Sequence, residues 1–128
     1  MAFTVDLPAA ARRHLQAADS LDGGHRRDVA GYLYGIAAEC AVKSMMEEIA
    51  VRVNEIFYAH FPELRTLLRD RLQGRRAGPL ATLIQDDGFL NHWNVKMRYS
   101  SSREIKEDWV DTWREQARKA VATMGTLG

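Results

Sequence analysis

The stretch "RRDVAGYLYGIAAECAVKSMMEEIAVRVNEIF", residues 26–57, decides the fold class. Val29, Leu33, Ile36, Ala37, Cys40, Ser44 and Met45 recur at three- and four-residue steps, the period of one face of an α-helix. The longest helix of the chain is therefore expected to run from Arg26 into the upper fifties. Glu39, Lys43 and Glu47 line another face at i, i+4 spacing, where an exposed pair contributes roughly 0.2–0.5 kcal/mol. Gly31 and Gly35 interrupt the pattern four residues apart. Glycine inside a helix costs ~1 kcal/mol relative to alanine, so a compensating contact is expected. Close approach of another helix backbone would supply it, within the chain or across a dimer. Ala38 and Ala41 continue the small-residue seam on nearby turns.

Upstream, a helix is predicted from Asp6 or Leu7 to Leu21. Pro8 suits its first turn, where a missing N–H is harmless, and Gly23-Gly24 stops it. Leu7, Ala11, Leu15, Ala18 and Leu21 form its apolar stripe, with His14 packed at the edge. Downstream, "HFPELRTLLRDRLQG" restarts helix after Pro62, with Leu64, Leu67, Leu68 and Leu72 inward. "RRAGP" breaks it and "PLATLIQDDG" makes a turn or two more. Ser101 and Glu104 have the spacing of a capping box, which predicts the start of the last helix there. Ile105, Trp109, Thr112, Trp113, Gln116, Ala120 and Met124 then repeat along one side. No stretch alternates with period two. The expectation is an all-α, up-and-down four-helix bundle with a short extra helix before the last, as a single domain over residues 1–128.

A chain of 128 residues with 46% hydrophobic and 27% charged residues is one soluble globular domain's worth. A formal net charge of +1 excludes a strong overall field, so any nucleic-acid or membrane contact must come from a local patch. No run of ~18 apolar residues marks a membrane span, and the N-terminus lacks the order of a signal peptide. Cys40 cannot form an internal disulfide, and cytoplasm is the natural reading.

Little of the usual chemistry is signalled. The four histidines are scattered, and Asp86, Asp87 and His92 form a loose group in a turn rather than a metal site. Cys40 lies mid-helix without a histidine near it, and no phosphate-cradling glycine loop is present. Glu47-Glu48 and Glu107-Asp108 read as solvated helix faces. Neither a metal nor a cofactor is expected. Arginine placement remains: Arg65 and Arg69 share a face, and Arg71, Arg75 and Arg76 extend the charge, with Arg12-Arg13 and Arg26-Arg27 as further pairs. Converging arginines could neutralise phosphates in a salt-sensitive way, although ordinary surface arginines are the plainer reading. In "NHWNVKMRYSSSRE", residues 91–104, Trp93 and Met97 are expected to plug the core beneath a strap. Arg98 beside Tyr99 can grip a phosphate and stack on a base, or it can fasten the strap to helix-end carbonyls. Fastening is the favoured role.

"YLYGIAAECAVKSMM", "AHFPELRTLL" and "FLNHWNVKMRYSSS" resemble, in order, the second helix, the histidine and third helix, and the tryptophan-to-Arg-Tyr strap of HEPN domains. The resemblance implies an all-α bundle that dimerises. Many members are metal-independent ribonucleases of toxin–antitoxin and phage-defence systems, and others are non-catalytic partners of small nucleotidyltransferases. The ribonucleases carry an arginine and a histidine with four to six residues between them. Here Arg98 is followed at those positions by Arg103, Glu104 and Ile105. The resemblance thus implies the scaffold without the usual nuclease motif: a binding module that takes RNA or a nucleotidyltransferase-like protein. Arg65, Arg69, Arg98 and Tyr99 are its expected ligand contacts, and Gly31 and Gly35 its expected homodimer contact. The alternative is a diverged metal-independent ribonuclease using Arg98, Tyr99 and His60, which requires them to meet in space.

Overall fold

The computed structural model describes residues 3–49, 54–72 and 78–126, and its regular elements are helical throughout. In chain order they are α1 (Leu7–Gly23), α2 (Arg27–Ile49), α3 (Asn54–Tyr58), α4 (Glu63–Leu72), α5 (Gly78–Gln85) and α6 (Glu107–Thr126). Two short 3-10 turns, Val95–Tyr99 and Ser102–Glu104, occupy the strap between α5 and α6.

Local chemistry fixes α1 much as its sequence predicts. The Asp6 carboxylate accepts the Ala9 N–H at 3.1 Å and Pro8 occupies the first turn. At the other end the Gly24 N–H closes on the Ser20 carbonyl at 3.0 Å. Leu7, Ala11 and Ala18 are buried from the predicted stripe. α2 lies between α1 and α6 and is buried on most sides, through Ala30, Tyr34, Ala37, Ala38, Ala41, Val42 and Met45. One hydrophobic cluster takes in residues from each of the six α-helices. A polar network ties the three long helices. Asp22 accepts from Arg27 at 2.6 Å, from Arg114 at 3.2 Å and from the Tyr34 hydroxyl at 3.3 Å. Tyr34 also donates to Asp19 at 2.7 Å, and Arg27 reaches Asp111 on α6.

The helix expected from Arg26 into the upper fifties is described as α2 to Ile49 and as α3 over Asn54–Tyr58, and residues 50–53 lie outside the described residues. The bundle differs from the sequence expectation in three places. α4 buries Leu64, Leu68 and Leu72 as predicted, but it packs chiefly on α5 and α3, so it is not a fourth long helix beside α2. The capping box does not start the last helix. Ser101 caps the 3-10 turn at Ser102–Glu104 and accepts the Arg103 N–H at 3.4 Å; Ile105 is then extended. α6 begins two residues later, with Glu107 and Asp108 in its first turn where acidic groups suit the helix dipole.

The third difference concerns Gly31 and Gly35. A Cβ on Gly35 would lie 1.9 Å from Trp93 Nε1, and one on Gly31 would lie 3.0 Å from Val110 Cγ2 and 3.1 Å from Trp113 Cε3. The seam is filled by indoles of the same chain, so the dimer contact expected at Gly31 and Gly35 is corrected. Both glycines are buried inside the protomer. The Trp93 Nε1–H donates to the Gly31 carbonyl at 3.2 Å, which seats the ring in the notch.

Candidate functional site

The strap from Gly88 to Ile105 carries most of the residues singled out in the sequence, and it is held from two sides. Leu90 and His92 have φ of 53° and 69°, the left-handed region that costs a non-glycine residue about 1 kcal/mol or more. From α6, Trp113 donates to the Asn91 carbonyl at 2.9 Å, and Gln116 both accepts the Leu90 N–H at 2.9 Å and donates to the Gly88 carbonyl at 2.7 Å. From α4, Arg65 donates to the carbonyls of Asp87, at 3.2 Å, and of Phe89. Arg69 donates to the Ile84 carbonyl at 3.3 Å and the Asp87 carboxylate at 2.7 Å. Arg65 and Arg69, expected as ligand contacts, therefore fasten the turn after α5. Burial lowers the pKa of Arg65, reinforced by the neighbouring Arg69 charge and opposed by Asp87 and Asp86. Its Nε–H is buried without an acceptor. Arg71 is exposed in the last turn of α4, and Arg75 and Arg76 fall outside the described residues.

Arg98 has the opposite disposition. The sequence favours fastening for it, yet its guanidinium is exposed, with one long hydrogen bond of 3.3 Å to the Tyr32 hydroxyl. It sits 4.9 Å from the centroid of the Tyr99 ring, a cation–π contact, and Tyr99 is 77% exposed. Arg98 borders a groove of about 310 Å³ shared with Arg26, Tyr32, Ser100 and Ser102. The acid in this groove, Asp28, is already engaged. It accepts from Ser102 at 2.7 Å and from Arg26 at 2.9 Å, and the Ser102 bond leads in holding its carboxyl below the usual range. Arg98 has no carboxylate partner among the described residues. Below the groove Tyr32 stacks on Trp93, with centroids 6.0 Å apart. The arrangement can neutralise an anion and offer an aromatic face beside it.

His60 lies elsewhere. Its Nδ1 is 2.7 Å from Glu39 Oε1, while Glu39 Oε2 accepts the Phe61 N–H, also at 2.7 Å. Glu39 is only 2% exposed, so the face read as solvated in the sequence turns inward at Glu39 and Lys43. Burial pushes the Glu39 carboxyl up, against the opposing pull of His60, Lys43 and the Phe61 N–H. Burial pushes the Lys43 amine down, opposed by Glu39. In a neutral imidazole, an ionised carboxylate at Nδ1 makes that nitrogen the donor and leaves Nε2 as the acceptor. The anchors of His60 and Arg98, Glu39 and Tyr32, stand seven residues apart on α2, a rise of ~10 Å. Of the three residues in the ribonuclease alternative, Arg98 and Tyr99 are in contact, while the polar partner of His60 is Glu39.

The remaining candidates are structural. The Asp86 side chain accepts the Gly88 N–H at 2.8 Å, Asp87 pairs with Arg69, and His92 stacks on Trp109 at 4.5 Å. Among the described residues no group of three His, Cys, Asp or Glu could hold a metal ion, and no helix is long and apolar enough to cross a membrane. Burial pushes the Cys40 thiol up, which suits an inert packed group. Sequence reasoning missed Tyr32 and Glu39. Tyr32 carries no signal of its own, and Glu39 reads as one end of a surface i, i+4 pair. Arg26 was visible only as half of a basic pair, whose other half, Arg27, is taken by Asp22 and Asp111. Comparisons with protein-family models, curated proteins and solved structures return no match.

Proposed function

We propose that this chain is a non-catalytic, HEPN-like helical module that binds single-stranded RNA at the strap. The observation that carries this reading is the Arg98 guanidinium, exposed, laid over Tyr99 and, among the described residues, without a carboxylate partner, beside a groove that also holds Arg26 and Tyr32. A phosphate can meet the arginines while a base stacks on Tyr99, and such stacking contributes ~1–3 kcal/mol per base. Anisotropy with labelled single-stranded RNA, at low and moderate salt and with EDTA throughout, tests it. R98A and Y99A should each weaken binding about tenfold or more, whereas K119A, a change of equal charge elsewhere on α6, should not. Absence of binding by the wild-type chain at low salt would sink the reading. A protein partner, such as a nucleotidyltransferase-like one, would then be sought by pull-down. A homodimer belongs to the same proposal, through a face other than the Gly31/Gly35 turn.

The Glu39–His60 pair favours a second reading, metal-independent cleavage, with His60 Nε2 as the proton acceptor. A gel of the same EDTA-containing samples distinguishes it. Cleavage lost in both H60A and R98A would establish this reading, and intact RNA would end it.

A further inference from the structure

A second pocket lies on the α4 side of the strap, about 280 Å³, lined by Phe61, Arg65, Asn91, His92, Trp93 and Asn94 among others. Several acceptors of its polar lining are already engaged. The Asn91 side-chain oxygen accepts the His92 N–H at 3.1 Å, and the Asn94 side-chain oxygen accepts the Lys96 N–H at 2.9 Å. Each carboxamide thus has its oxygen tied to its own backbone turn and, among the described residues, no partner for its NH2 group. Four main-chain carbonyls beside them are also taken. Phe89 accepts from Arg65, Leu90 from the Trp93 N–H at 3.1 Å, Asn91 from Trp113 at 2.9 Å and Asn94 from the Met97 N–H at 3.0 Å. Arg65 contributes a positive charge whose direct partners are carbonyls. Asp86 and Asp87 act on it only through space, and Asp87 is itself bonded to Arg69. The two NH2 groups and the Arg65 charge, beside the buried Phe61 and Trp93 rings, make a place for an anion.

We infer that this pocket binds a phosphate group through the amide N–H groups of Asn91 and Asn94 and the charge of Arg65. The volume is at the small end for ligand pockets, about 300 Å³ and upward, which suits one phosphoryl group with its first attached residue. The inference does not depend on the Arg98 groove. Its source can be the phosphorylated end of an RNA or a free phosphate compound, since the recognising chemistry is shared.

Titration calorimetry with inorganic phosphate at fixed ionic strength tests it, on the wild-type chain and on N91D/N94D. Aspartate keeps the oxygen that each turn needs and replaces only the NH2 group, so the melting temperature should hold while phosphate binding falls about tenfold or more. Should the double variant fail to fold, N91D and N94D alone serve the same comparison. No phosphate binding by the wild type, or equal binding by the folded variants, overturns the inference. A 5′-phosphorylated oligoribonucleotide and its 5′-hydroxyl counterpart separate the sources. A preference for the phosphorylated end that disappears in N91D/N94D assigns the site to RNA, and phosphate binding without that preference assigns it to a free compound; either supports the site. Because phosphate is titrated alone, a chain that binds it but not RNA keeps this inference and loses the RNA reading. A chain that binds RNA but not phosphate does the reverse.

Discussion

At Gly35 an added methyl group would collide with the indole of Trp93, whose ring lies across the place a Cβ would occupy. The obstacle is a buried ring pinned by its own hydrogen bond to Gly31, so it has no easy way to withdraw. G35A should cost about 3 kcal/mol or more of unfolding free energy in urea, whereas G31A, with contacts of 3.0 Å or longer, should cost about 1–2 kcal/mol. Glu39 makes a different kind of prediction, because burial raises its carboxyl above the ordinary value of 4.5. The folded chain then holds this proton more tightly than the unfolded chain does. The stability lent by the protonated form is complete below 4.5 and is lost as pH rises through the folded value. E39Q has no such titration. The unfolding free energy of the wild type minus that of E39Q should therefore fall with rising pH above 4.5 and then level off, and a flat difference would contradict the assignment.

Among the elements, α1 and the leucine face of α4 were legible because their signals are local: a cap, a first-turn proline, an apolar period. The inward turn of α2 at Glu39 was not, since the groups that satisfy Glu39 come from residues 60 and 61. The start of α6 misled for a related reason. The Ser101–Glu104 spacing is a real cap signal, but it closes a 3-10 turn and the chain straightens at Ile105 before the helix begins. S101A should consequently leave the helical circular dichroism of the chain unchanged and cost under about 1 kcal/mol. The three long helices are coupled through Asp22. Burial acts to raise its carboxyl, but bonds from Arg27, Arg114 and Tyr34 outweigh it and hold the group below its ordinary 3.8. D22N should cost about 1–3 kcal/mol at neutral pH. The sign is opposite to that of Glu39: stability from Asp22 is present above 3.8 and lost as pH falls through the folded value, so the gap between wild type and D22N should close in acid.

For the molecule as a whole, a net charge of +1 provides almost no long-range pull on RNA. Binding at the strap would rest on Arg98 and on Arg26, the latter exchanging Asp28 for a phosphate. Two neutralised phosphates give a slope of about −1.4 for log affinity against log salt on a single strand, hence a loss of about sevenfold between about 50 and 200 mM. R98A should flatten that slope by about 0.7. The candidate site was half legible in the same sense as the fold. Arg98 and Tyr99 announce themselves as neighbours in sequence. Whether an arginine is spent on carbonyls, as Arg65 and Arg69 are, or left over, as Arg98 is, depends on where the turn after α5 comes to rest. The indole lodged against Gly35 has a consequence for lineage. Position 35 and position 93 cannot drift independently, because a side chain gained at the first demands a ring surrendered at the second. A descendant or ancestor of this chain that carries alanine at 35 is expected to have lost the tryptophan at 93, and with it the peg on which the whole strap is hung.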